Sequence, residues 1–61
     1  MTEQLLRRPE VEKLTGLPRS TLYERIADGS FPKQIKIGRR GVRWRSSEVD
    51  AWIQRQIDEA A

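Results

Sequence analysis

The 61-residue sequence predicts a small α+β fold with the element order β, α, α, β, β, α. Three observations carry that expectation. Two short helical patterns in the first half are separated by little more than Gly16, Leu17 and Pro18. After Phe31-Pro32 the hydrophobic period changes from about 3.6 to about 2. From Ser46 onward it returns to that of an amphipathic helix.

Leu5-Leu6-Arg7 is a short apolar start that fits a brief strand. Pro9 suits the first turn of a helix, where its missing N–H leaves no bond unmade. That helix runs from about Pro9 to Thr15. Val11 and Leu14 repeat at i, i+3, and Gly16 stands where a left-handed C-terminal residue is wanted. Pro18 fits the first turn of the next helix, in which Leu22 and Ile26 lie four apart and which stops at Asp28-Gly29-Ser30. Two short helices joined this tightly form a helix-turn-helix.

Apolar and polar residues then alternate through Lys33-Gln34-Ile35-Lys36-Ile37 and Val42-Arg43-Trp44-Arg45. The pattern predicts two strands with one face packed on the helices. Gly38-Arg39-Arg40-Gly41 is the hairpin loop between them, and its glycines permit a tight turn that puts Arg39 and Arg40 at the tip. Such a hairpin is a wing. Ser46 or Ser47 can cap the final helix, with Glu48 and Asp50 near its positive end. Val49, Trp52, Ile53 and Ile57 make its apolar stripe and close the core. The spacing of Leu6, Phe31, Trp44 and Trp52 fits that core better than a platform on which single-stranded bases stack.

Length and composition exclude several function classes. One domain over residues 1–61 is the expectation, and a chain of this size buries only about 60 % of its unfolded surface, which leaves little room for an enzyme cleft. There is no cysteine and no histidine, so disulfides, thiolate zinc sites and the commonest general base are all missing. The carboxylates are scattered, and no serine or threonine has a histidine or lysine base beside it. The expectation is a protein that is not an enzyme and that takes no cofactor, metal or small-molecule ligand. No stretch approaches the ~20 apolar residues of a membrane span, and no signal-peptide pattern opens the chain, so the expected location is cytoplasmic, without membrane contact.

The net charge of +3 understates a strong asymmetry. Residues 31–45 hold Lys33, Lys36, Arg39, Arg40, Arg43 and Arg45 with no acid, a local charge of +6. Residues 46–61 hold Glu48, Asp50, Asp58 and Glu59 against Arg55, a balance of −3. A basic hairpin that directly follows a helix-turn-helix is where flanking phosphate contacts to nucleic acid are needed.

The second helix suits base reading. A helix is about 10–12 Å across and a major groove about 12 Å wide, and each base pair shows there a distinct hydrogen-bonding pattern. With Leu22 and Ile26 inward, Ser20, Thr21 and Glu24 face outward, flanked by Arg19 and Tyr23. Arg19 fits guanine or a phosphate, Glu24 a cytosine amine, and Ser20 or Thr21 either partner. The plainer alternative is that Ser20 and Thr21 satisfy first-turn N–H groups while Glu24 sits with Arg25 and Asp28 as surface charge. The Tyr23 ring can pack at the core edge while its hydroxyl reaches a phosphate or a backbone group. Lys33, Lys36, Arg39, Arg40 and Arg43 are the candidate backbone and wing contacts.

Leu5-Leu6-Arg7-Arg8-Pro9-Glu10-Val11, Thr15-Gly16-Leu17, Arg19-Ser20-Thr21-Leu22-Tyr23, Phe31-Pro32, Ile37-Gly38 and Val42-Arg43-Trp44 through Trp52 together resemble the AlpA family of phage-type regulators. The resemblance runs from Leu5 to about Ile53. It implies a MerR-like or excisionase-like winged helix whose second helix enters the major groove while the wing meets an adjacent backbone or minor groove. It also implies a prophage role as a transcription regulator, often of integrase genes, or as a directionality factor that bends attachment-site DNA. Two positions depart from the pattern: Pro18, where relatives often carry a capping serine, and Glu24, where many carry a basic residue. The expected partner is double-stranded DNA, bound by a compact monomer that cooperates with itself on repeated sites or meets an integrase. A module whose basic wing binds an acidic protein is the alternative of another class.

Overall fold

A computed structural model describes residues 3–39 and 41–60. The elements follow as β1 (Leu5–Leu6), α1 (Arg8–Thr15), α2 (Arg19–Ala27), β2 (Ile35–Ile37), β3 (Gly41–Arg45) and α3 (Ser46–Ala60). This is the α+β winged helix-turn-helix expected from the sequence. The strands form one antiparallel sheet in the order β1-β3-β2, with β3 in the centre and α1 and α3 packed against it.

Local chemistry sets the helix ends. The Glu10 carboxylate accepts the Arg7 N–H at 2.9 Å, which satisfies a backbone donor as the chain enters α1. Gly16, left-handed at φ 75°, donates its N–H to the Glu12 carbonyl at 2.8 Å and closes that helix. The Thr15 hydroxyl donates to the Val11 carbonyl at 2.7 Å and accepts the Leu17 N–H at 3.3 Å, holding the short turn into α2. At the far end of α2 the Arg25 carbonyl accepts from both Ser30 and Phe31, and the Asp28 carboxylate accepts the Ser30 N–H at 2.9 Å.

The start of α3 differs from expectation. The Ser46 hydroxyl accepts the Gln4 N–H at 2.9 Å, and the Ser46 N–H donates to the Gln4 carbonyl at 2.8 Å. The Ser47 N–H donates to the Glu3 carboxylate at 3.2 Å. Ser46 is therefore spent on the N-terminal segment, and an acid more than forty residues away in sequence serves the first turn of the helix.

The hairpin register also corrects the sequence reading. Ile35 pairs with Arg43, Lys36 with Val42 and Ile37 with Gly41. The loop is thus residues 38–40, one shorter than the expected Gly38-Arg39-Arg40-Gly41, and a one-residue change in register turns a strand's side chains to the opposite face. Val42 and Trp44 face the helices, as Leu6 does through its pairing with Trp44. Ile35 and Ile37 lie on the outer face with Arg43. β2 begins at Ile35, so Lys33 and Gln34 belong to the connector that follows α2.

The core is Leu6, Val11, Leu22, Phe31, Trp44, Val49 and Trp52, ringed by Leu17, Tyr23, Ile26, Val42 and Ile53. Two residues expected on the apolar stripes are exposed instead, Leu14 at 53 % and Ile57 at 56 %. Ile57 lies in the last turns of α3, past Ile53, the last residue of that helix packed on the core. Among the described residues no helix is long and apolar enough to cross a membrane.

Candidate nucleic-acid interface

α2 is anchored by Leu22, which is fully buried, and by Ile26, half-buried against the core. Anchoring on that side leaves Arg19, Ser20 and Glu24 exposed, with Thr21 and Tyr23 half-buried. The five candidates therefore divide. Three stand clear of the protein, Thr21 sits lower than expected, and the Tyr23 ring meets Trp44 edge-on with centroids 6.4 Å apart and planes at 62°. That edge contact fixes the tyrosine ring from beneath.

The N-terminus of α2 is open. Pro18 occupies the cap position in an extended conformation, and no side chain caps the helix among the described residues. Ser20 and Thr21 make no side-chain hydrogen bond to the first-turn N–H groups, and the first turn carries no acid. Positive backbone dipoles, the Arg19 guanidinium and the Ser20 hydroxyl thus gather at one exposed end. Glu24 forms no ion pair among the described residues, in contrast to Glu12, which accepts from Arg8 at 3.0 Å.

The wing presents its cations on two faces. Lys36 is on the side of Val42 and Trp44, whereas Arg43 and Arg45 are on the other side with Ile35. Arg39 is exposed in the turn, Lys33 is exposed in the connector, and Arg40 lies outside the described residues. A guanidinium nitrogen of Arg43 donates to the Val42 carbonyl at 2.9 Å and lies 3.5 Å from where a Cβ on Gly41 would stand. The side chain is therefore folded back along β3 toward the turn.

Two indoles tie wing and helix to the same core. The Trp44 N–H donates to the Pro32 carbonyl at 3.1 Å, and the Trp52 N–H donates to the Ser30 carbonyl at 2.7 Å. Phe31, between those carbonyls, meets Trp52 edge-on at 5.0 Å. The connector from α2 to the wing is thus bonded on both sides of a buried aromatic, which limits how far the two candidate contact elements can swing apart.

Sequence reasoning did not find this lock, nor the placement of Arg45 beside Leu5. The β-period marked Arg45 as polar but carried no information on which strand stands next to it. Among the described residues no group of three or more His, Cys, Asp or Glu residues gathers as a metal site.

Comparison with known proteins gives a consistent set of relatives. The family model described as the prophage CP4-57 regulatory protein (AlpA) matches residues 4–57. An uncharacterized protein, ORF88, of Enterobacteria phage P4 is 51 % identical over 55 residues, covering 90 % of this chain and 62 % of its own length. The DNA-binding transcriptional activator AlpA of Escherichia coli (strain K12) is 32 % identical over 59 residues, covering 87 % of this chain and 84 % of its own. This chain spans somewhat less than two thirds of the phage P4 protein. No solved structure matches.

Proposed function

The chain belongs to the AlpA family of prophage regulatory proteins, and from that premise we propose that it is a sequence-specific regulator that binds double-stranded DNA. α2 lies in the major groove, with Arg19, Ser20, Thr21, Tyr23 and Glu24 as its reading face. The wing lies on the adjacent backbone or minor groove, with Lys33, Lys36, Arg39, Arg40 and Arg43 as its cations.

One observation carries the reading. An uncapped helix end bearing exposed Arg19 and Ser20 leads through a connector pinned by two indole hydrogen bonds to a hairpin whose charges are all positive. With Lys36 near the end of β2, Arg39 in the turn and Arg43 folded back toward it, cations gather at the tip of the hairpin, which suits contact of that tip with a phosphate backbone or minor groove. Glu24 stands at the outer side of the same helix, where a carboxylate is repelled by phosphate but accepts from a cytosine amine. The E. coli relative, named a DNA-binding transcriptional activator, supports the same reading.

The test is duplex binding followed by fluorescence anisotropy across a salt series. The expected result is affinity that falls steeply with salt, with a log-log slope of about 0.9 for each phosphate contacted. Binding that ignores salt, or prefers an acidic protein to DNA, would overturn the proposal.

A further inference from the structure

The outer face of the sheet combines apolar and basic side chains, exposed at Leu5, Ile37 and Arg45 and half-buried at Ile35 and Arg43. Leu5 stands beside Arg45, Ile35 beside Arg43, and Ile37 beside Gly41. Leu5 is 49 % exposed and Ile37 40 %. Arg43 folds back toward the wing turn, which leaves Arg45 as the exposed cation among these apolar residues. Glu3 is the acid near Arg45, and its carboxylate is already engaged by the Ser47 N–H.

A complementary surface runs along α3. At about 3.6 residues per turn, Asp50, Gln54, Ile57 and Asp58 share one flank of that helix, and all four are exposed. The flank contains no basic residue, and Ile57 is the most exposed large apolar side chain of the described residues. α3 packs against the helix-facing side of β3, so the acidic flank and the basic sheet face lie on opposite sides of the molecule.

We propose that a second copy of this chain docks the Asp50–Asp58 flank of its α3 onto the outer sheet face of the first, so that copies join head to tail. Charge selects this pairing over the symmetric ones. Sheet face on sheet face sets Arg45 toward Arg45, and flank on flank sets Asp58 toward Asp58, whereas flank on sheet face joins opposite signs around Ile57 and Leu5. Because the two surfaces differ and lie on opposite sides of the molecule, the contact is heterologous and leaves each bound copy with one free surface, so successive copies extend along adjacent sites. The inference rests on the DNA proposal only in that neighbouring sites would bring the copies together.

The sequence contains no cysteine, so introduced thiols report the contact cleanly. Mixed Leu5→Cys and Ile57→Cys proteins, oxidised without DNA, should form the mixed disulfide well ahead of either symmetric one. Random pairing of equal amounts already gives the mixed disulfide twice the yield of each symmetric one, so a mixed share no larger than that would overturn the proposal. On duplexes with one or two adjacent sites, Arg45→Glu and Asp58→Lys should each lower the cooperativity factor by about tenfold or more, and the chain carrying both should regain it. A double variant no better than either single one would also overturn it. Neither residue is among the proposed DNA contacts, and the factor is a ratio, so a change in one-site affinity cancels. Failure of one-site binding would instead overturn the DNA reading, with the thiol experiment still deciding this one.

Discussion

Ile37 faces Gly41 across the hairpin, not Val42. A Cβ on Gly41 would lie 2.7 Å from the Ile37 carbonyl oxygen, a distance real side chains do not tolerate. The missing side chain lets the strands close over a three-residue loop, and that closure sends Ile35 and Ile37 outward while Val42 and Trp44 face the core.

Gly41→Ala should therefore strain the wing locally. The expected loss is about 1–3 kcal/mol, in the range of overpacking elsewhere, with the β2 and β3 amides shifted and α1 unchanged. Chemical denaturation together with amide spectra checks this. A loss below about 0.3 kcal/mol, within the usual surface range, would contradict the assigned close approach.

Trp44 ties the hairpin to the connector and to α2 through its indole bond to Pro32 and its edge contact with Tyr23. Trp44→Phe keeps an aromatic ring but deletes the donor and some volume. We expect a folded protein destabilised by about 1–3 kcal/mol. Amide exchange should quicken in the segment from Phe31 through β3. Exchange unchanged there would show that the connector is held by other means.

Leu22 and Leu14 look alike in the sequence, but only Leu22 is buried. Leu22→Ala should cost about 2–5 kcal/mol, comparable to the whole stability of a small domain, and leave the chain largely unfolded. Leu14→Ala should fall within about 0.5 kcal/mol of the parent. Circular dichroism melts compare the two, and similar melting would refute the distinction.

Acid should weaken the fold through Glu3. Hydrogen bonding from the Ser47 side chain, then from the Ser47 backbone with Arg45 nearby, holds its carboxyl below the ordinary value of 4.5. A lowered folded pKa means a stabilising contribution present above that ordinary value and lost as pH falls through the folded one. Asp28, held below 3.8 chiefly by Ser30, adds to the loss at the acid end. The Tm should drop as pH is lowered from about 5 to about 3, and Glu3→Gln should flatten part of that drop. Identical acid profiles for parent and Glu3→Gln would remove the cap from the account.

The element order, the two-helix turn and most of the core were legible because helical period, Pro9, Gly16 and the Asp28-Gly29-Ser30 stop are local signals. Helix boundaries moved by only a residue. What was not legible is non-local. Alternation shows that Ile35 and Ile37 share a face, and that Val42 and Trp44 share one, but which faces coincide depends on the number of residues in the loop. The Glu3 cap joins residues distant in sequence, so Ser46 and Ser47 read as self-sufficient caps. Ile57 continues the apolar period of α3 beyond Ile53, the last residue of that helix packed on the core. For the candidate site, polarity and period placed Arg19, Ser20 and Glu24 outward, whereas the half-burial of Thr21 and the backward fold of Arg43 depend on neighbours that no local pattern names.

The central claim is the division of labour between a reading helix and an anchoring wing. The direct measurement is binding of Ser20→Ala, Glu24→Ala and Arg39→Ala to a selected duplex and to duplexes with single base-pair changes, each across a salt series. Arg39→Ala should weaken all duplexes alike and reduce the salt slope by about 0.9. Ser20→Ala and Glu24→Ala should keep the slope and change the preference at particular base pairs by about 1–3 kcal/mol. The same uniform loss from helix and wing variants would contradict the account.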